Sequence, residues 1–129
     1  MRSDERYVSI TKVHPHKGVN GWVFRWRARR ALNRARRAPG NLFAELYRKK
    51  DTLYALTVWD NAPALKRFAR TTAQAKTLLQ FRDMSHGLTY GFLSDGVPSW
   101  PEAMALCDRQ GTLFGRPDPA EPQDAKSSD

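Results

Sequence analysis

The sequence predicts an α+β domain, a four-stranded antiparallel sheet in ferredoxin-like βαββαβ order with two helices on one face. Three observations lead there. A length of 129 residues, 40% hydrophobic and 27% charged, suits one globular domain. The apolar periodicity changes repeatedly between the strand and helix periods along the chain. The resulting pieces form two strand-helix-strand halves, and the right-handed crossover rule then puts both helices on the same side of the sheet.

The elements follow in order. Residues 7–14 (YVSITKVH) are rich in β-branched side chains and read as a strand. HPHKGVNG supplies the turn residues Pro15, Gly18, Asn20 and Gly21. Over 22–38, Phe24, Ala28, Ala31, Leu32 and Ala35 recur at helical spacing with arginines on the other face, and Pro39-Gly40 stops the helix. Residues 41–48 and 52–59 alternate as strands around the reversal Lys49-Lys50-Asp51, which predicts a hairpin. Asn61 is placed to cap a helix with Pro63 in its first turn. That helix should run to about Met84 with Leu65, Phe68, Thr72, Ala75 and Leu79 on one stripe. Residues 87–93 (GLTYGFL) make the fourth strand. Ser99 and Glu102 have capping-box spacing at the start of a short third helix that Gly111 ends. The folded domain is therefore expected over 6–111. The tail 116–129 (RPDPAEPQDAKSSD) lacks large apolar residues and is expected to be disordered.

Two helices on one side leave the other side of the sheet open, and that side is not polar. The strands offer sets such as Val8/Ile10, Phe43/Tyr47, Tyr54/Leu56/Val58 and Leu88/Tyr90/Phe92. A broad exposed apolar face marks an interface. The expected solution is a symmetric homodimer, sheet packed on sheet. The alternative is a monomer whose third helix and 112–115 segment cover the face.

Composition bounds the partners. No apolar run reaches the ~20 residues of a membrane span, and the N-terminal MRSDERYVSI has no uninterrupted apolar segment, so neither a membrane partner nor a signal peptide is expected. Cys107 is the only cysteine, which excludes an intrachain disulfide and fits a cytoplasmic location. The net charge is +9; residues from Arg116 onward hold two basic and four acidic side chains, so 1–115 carry +11. The run WVFRWRARRALNRARRAP contains seven arginines and no acid. A basic helix with Trp22 and Trp26 can bind nucleic acid through Arg25–Arg37, which makes nucleic acid the alternative partner. The simpler reading is a solvated helix face, or one that meets acidic residues of a partner protein.

The strand ending in LTVWD, followed by NAPALKRFARTTAQAK, resembles the dimeric α+β-barrel superfamily, most closely its antibiotic-biosynthesis-monooxygenase-like and spheroidene-monooxygenase-like proteins. The resemblance rests on Trp59-Asp60, on the Ala64…Phe68 spacing and on the later VPSWPEAMALCDRQG, and spans about residues 6–111. It implies a homodimer with a small-molecule pocket between sheet and helices in each subunit. Members include cofactor-free oxygenases of polycyclic aromatics, haem-binding enzymes and proteins of no known activity. Several carry a histidine in the second helix where this chain has Gln74, which departs from any haem- or histidine-dependent pattern.

Candidate catalytic groups are His86, His14 and Tyr90. His14-Pro15-His16 can move protons near neutral pH, but no third ligand stands at metal spacing, so no metal site is predicted. His86, just before the fourth strand, is a candidate base. Candidate substrate-binding groups are Trp59, Tyr47, Tyr54, Phe68, Arg67 and Trp26. Tyr47, Tyr54 and Tyr90 lie on three strands and can orient a phenol or carbonyl if they share a face; a packed core of tyrosines is the alternative. Arg67 and Arg82 can pair with a carboxylate or enolate. Cys107 sits with Ala103, Met104 and Leu106 and reads as buried. No nucleotide-binding glycine loop, HExxH or CxxC is present, so no cofactor is expected. The expected function is a cofactor-free monooxygenase, or a cyclase or isomerase, acting on a largely apolar, aromatic or polyketide-like molecule. A nucleic-acid-binding module and a haem-binding protein of the same fold are the alternatives.

Overall fold

The computed structural model describes residues 5–115. Nine elements run in the order β1 (Arg6–Pro15), α1 (Gly21–Arg36), β2 (Asn41–Lys49), β3 (Thr52–Trp59), α2 (Ala62–Ala69), α3 (Thr72–Met84), β4 (Ser85–Ser94), α4 (Trp100–Gln110) and β5 (Thr112–Gly115). The sheet is antiparallel, in the order β2-β3-β1-β4-β5. Its first four positions are those of the ferredoxin-like arrangement.

Local chemistry sets most boundaries. Asn20, read from the sequence as a turn residue, caps α1 by accepting from the Trp22 and Val23 amides. The β2–β3 hairpin closes through Lys50-Asp51, with Lys50 at φ 57°, the positive φ that two-residue hairpin loops require. Asn61 accepts from the Ala64 amide, and Ser99 from the Glu102 amide, as their spacing predicted. α1 is fastened to β2 by Arg36, whose guanidinium donates twice to the Ala44 carbonyl, at 3.1 and 2.8 Å.

Three expectations need correction. The helix expected from Asn61 to Met84 is two helices, because Thr71 is both an end and a beginning. Its hydroxyl donates to the Phe68 carbonyl and accepts from the Gln74 amide, so the chain turns there and the helical phase resets. Leu79 consequently faces solvent, while Gln74, Leu78 and Phe81 face inward. The sheet has five strands, not four: after Gly111 the chain reverses, and Thr112–Gly115 fills the open edge of β4. The third correction concerns the face opposite α1–α3, which is not bare. Helix α4 lies on it, and Val8, Ile10, Tyr54, Leu56, Val58, Ala103 and Cys107 form a closed core. The cover is tied down by Lys12–Asp108 at 2.9 Å, Trp100–Glu45 at 2.9 Å and Tyr90–Gln110 at 3.2 Å. Each large side chain fully buried there contributes roughly 1.5–3 kcal/mol. The tail 116–129 lies outside the described residues.

Candidate functional site

On the other face of the sheet the helices stand off and leave a cavity of about 350 Å³. Small side chains make it. Ala28, Ala31 and Ala35 present methyl groups from α1, and the floor opposite is lined by the small side chains of Ala55 and Ser9, so opposed elements do not meet. The helices close instead over the top of the space. Arg34 of α1 donates to Gln74 Oε1 at 3.0 Å and Thr77 Oγ1 at 3.2 Å, Arg27 donates to Gln80 at 3.1 Å, and Phe24 meets Phe81 edge-on at 5.2 Å.

The floor carries hydroxyls in an otherwise apolar setting. Ser9 pairs across the sheet with Thr57, and Thr11 with Thr89, whose hydroxyls are 3.0 Å apart. Trp59, fully buried, forms one end wall; its indole packs against Phe68 at 5.4 Å and donates to Thr57 Oγ1 at 2.9 Å. Leu46, Leu65, Leu78, Phe81 and Phe114 complete the apolar wall. Among the described residues, Gln74 and Arg82 are the remaining polar groups of the lining, and Arg82 is the one charged side chain. Such a space suits a flat apolar body, with hydroxyl donors beneath it and one cation at its margin. Among the described residues the lining holds no histidine, cysteine, tyrosine or methionine, so none of these wall residues is placed to ligate a haem iron, and haem does not fit them.

The structure divides the sequence-derived candidates by strand parity. Trp59 and Phe68 line the cavity. Tyr47, Tyr54 and Tyr90 do share a face, but it is the α4 face. Tyr47 packs on Trp100 and Tyr54, Tyr54 lies under the Lys12 ammonium, and Tyr90 donates to Gln110. His14 and His86 are cross-strand partners, and Val13 and Gly87 take the alternate face. Both histidines stand on the side of the sheet away from the cavity. His16, buried, completes a stack with ring centroids 5.3 Å apart for His14–His86 and 5.7 Å for His16–His86; His14 Nδ1 is 3.0 Å from Thr52 Oγ1. Among the described residues no group of three or more metal-ligating side chains is arranged to hold a metal. Arg67 and Trp26 are exposed and do not line the cavity. Cys107 is fully buried against the Ile10 and Leu88 carbonyls; burial pushes its thiol pKa up and disfavours the thiolate.

Sequence reasoning missed the hydroxyl floor. Its signal was present: Ser9 and Thr11 alternate with Val8 and Ile10, and Thr57 with Leu56 and Val58, so the middle of β1 and the end of β3 each carry apolar side chains on one face and small hydroxyls on the other.

No family model matches the sequence, and no curated protein matches it. Solved structures do. A variant of SnoaB, a cofactor-independent oxygenase from Streptomyces nogalater, superposes with a TM-score of 0.59 at 16% identity, over 74% of this chain and 97% of that one. A putative antibiotic biosynthesis monooxygenase from Nitrosomonas europaea gives 0.62 at 12% identity, over 78% and 96%. A conserved protein of unknown function from Bacteroides thetaiotaomicron, described as a possible oxidoreductase, gives 0.62 at 12% identity, over 72% and 100%. The chain thus has the fold of the antibiotic-biosynthesis-monooxygenase-like α+β-barrel proteins, which its LTVWD strand and the helix after it already resembled.

Proposed function

We propose that the protein is a cofactor-free monooxygenase whose substrate is a flat, largely apolar phenol or ketone bearing an activated methylene. The observation that carries this reading is the lining of the cavity: apolar walls, four floor hydroxyls, Gln74 and Arg82, with no Asp, Glu, His, Lys or Tyr among the described residues. A cyclisation or isomerisation driven by enzymic proton abstraction needs a base within reach of the carbon acid, and the walls offer none. A substrate acidic enough to ionise on its own needs only its anion stabilised, and Arg82 with the Thr11, Thr57 and Thr89 hydroxyls can supply that. The carbanion then gives an electron to O₂, and the radical pair joins as a peroxide at the same carbon. Loss of water leaves the ketone. The balance is CH₂ plus O₂ giving C=O plus H₂O, and the substrate itself provides all the electrons. The solved oxygenases of this fold support the same reaction class. Polycyclic phenols with a doubly activated methylene, incubated under ¹⁸O₂, test it. One labelled oxygen per product and one O₂ consumed are expected; product formed without oxygen, or carrying no label, overturns the reading.

A further inference from the structure

We propose that the solvent face of α1 binds single-stranded nucleic acid, with backbone phosphates in a cup formed by Arg30, Asn33, Arg34 and Arg37 and bases stacked on Trp22 and Trp26. At about 100° per residue, Ala28, Ala31, Leu32 and Ala35 occupy the cavity side of this helix, and Trp22, Trp26, Arg30, Asn33 and Arg37 fall on the opposite side. The arginines enclose a concavity of about 260 Å³. Two of its groups are held in place by hydrogen bonds. Arg34 is fixed by Gln74 and Thr77, and Asn33 accepts from Arg36 at 2.9 Å, which leaves its amide N–H groups available as donors. The partners of Arg27, Arg34 and Arg36 are neutral: Gln80 for the first, Gln74 and Thr77 for the second, and Asn33 with the Ala44 carbonyl for the third. From Lys17 to Ala44 the sequence contains no acid, so this positive charge is not cancelled locally.

Charge alone would attract any polyanion; the aromatic residues decide the class. Trp22 is 80% exposed and Trp26 55%. The Arg30 guanidinium covers one side of the Trp26 ring, 4.9 Å from its centroid. Two exposed indoles followed by a guanidinium cup along about 22 Å of helix repeat the stacking-platform and basic-groove combination by which unpaired strands are bound. A membrane surface is flat and does not match a concave cup. An acidic protein would satisfy the guanidiniums and leave the indoles with no role.

The test is anisotropy of a labelled twelve-residue oligodeoxythymidylate titrated with the full chain at several salt concentrations. Binding at about micromolar strength or tighter is expected, with affinity falling steeply as salt rises. Arg30→Ala combined with Arg37→Ala should weaken it at least tenfold and make the log–log salt slope shallower by about 1.4. Trp22→Ala and Trp26→Ala should each weaken it roughly five- to hundredfold without changing the slope. All four side chains face solvent, and a thermal melt verifies that each variant folds. Three results overturn the proposal. Duplex DNA binding as tightly as the single strand, with the tryptophan variants unaffected, reduces it to nonspecific charge. Inorganic phosphate displacing the oligonucleotide at concentrations too low to be an ionic-strength effect makes the cup a small-anion site. Phosphatidylserine vesicles pelleting the protein while the oligonucleotide fails to bind makes α1 a membrane surface.

Discussion

Trp59 donates its indole N–H to the hydroxyl of Thr57, two residues back on the same strand and the same face, at 2.9 Å. This bond lies inside the cavity wall and satisfies a donor that full burial would otherwise strand. Thr57→Val leaves that N–H unpaired and should cost about 1–3 kcal/mol of stability. Trp59→Phe removes the donor together with some packing and should cost about as much, whereas Trp59→Ala should cost roughly 3–5 kcal/mol. The Thr57→Val/Trp59→Phe double variant should lose less than the two single losses combined. Urea unfolding of the four proteins measures it, and strict additivity would show that the bond does not matter.

The volume of the cavity depends on side chains with little reach. Ala55 sits mid-floor on β3. Ala55→Leu should fill the space from below without displacing a backbone, keeping stability within about 1 kcal/mol. Binding of a polycyclic phenol, followed by quenching of tryptophan fluorescence, should weaken at least tenfold. Unchanged ligand affinity would place the ligand elsewhere.

Gly87 answers a packing demand of another kind. A Cβ there would run into the Lys12 carbonyl on the neighbouring strand, and no rotamer change can move a backbone oxygen. Gly87→Ala should lower stability by about 3 kcal/mol, the upper end for a single substitution. A melting temperature within a degree of the parent would contradict this close approach.

The ion pair that ties α4 to the sheet predicts a pH dependence. The hydrogen bond that Lys12 donates to Asp108 is the largest influence on Lys12 and raises its pKa, with desolvation acting against it. A raised folded pKa adds stability that is fully present below the ordinary lysine value of about 10.4 and is lost as pH rises through the folded value. Asp108 is half exposed, so Asp108→Asn should cost less than about 1 kcal/mol at pH 7. The gap between the two proteins should narrow as pH rises through the raised folded pKa of Lys12. Chemical unfolding at pH 7 and pH 11 measures this, and a gap that widens with pH would refute the pairing.

Short-range chemistry was legible before any coordinates. The order of strands and helices, the caps at Asn61 and Ser99, the inward stripe Phe24-Ala28-Ala31-Leu32-Ala35 and the position of Trp59 at a strand end all follow from periodicity and capping. These depend on neighbours within a few residues. The same reasoning ran one helix through Thr71 because a mid-helix threonine and a threonine cap look alike until the carbonyls it meets are fixed. The parity of the strands was less accessible still. His14, His86 and the three tyrosines each had two possible faces, and only pairing with a neighbouring strand chooses one. The docking of α4 on the far face and the addition of β5 to the edge of β4 are long-range as well. The cavity itself was not written in any one segment. It is the volume left over when alanine-faced α1 and the hydroxyl-bearing floor are held apart by contacts made elsewhere, and such a remainder exists only once the whole chain has packed.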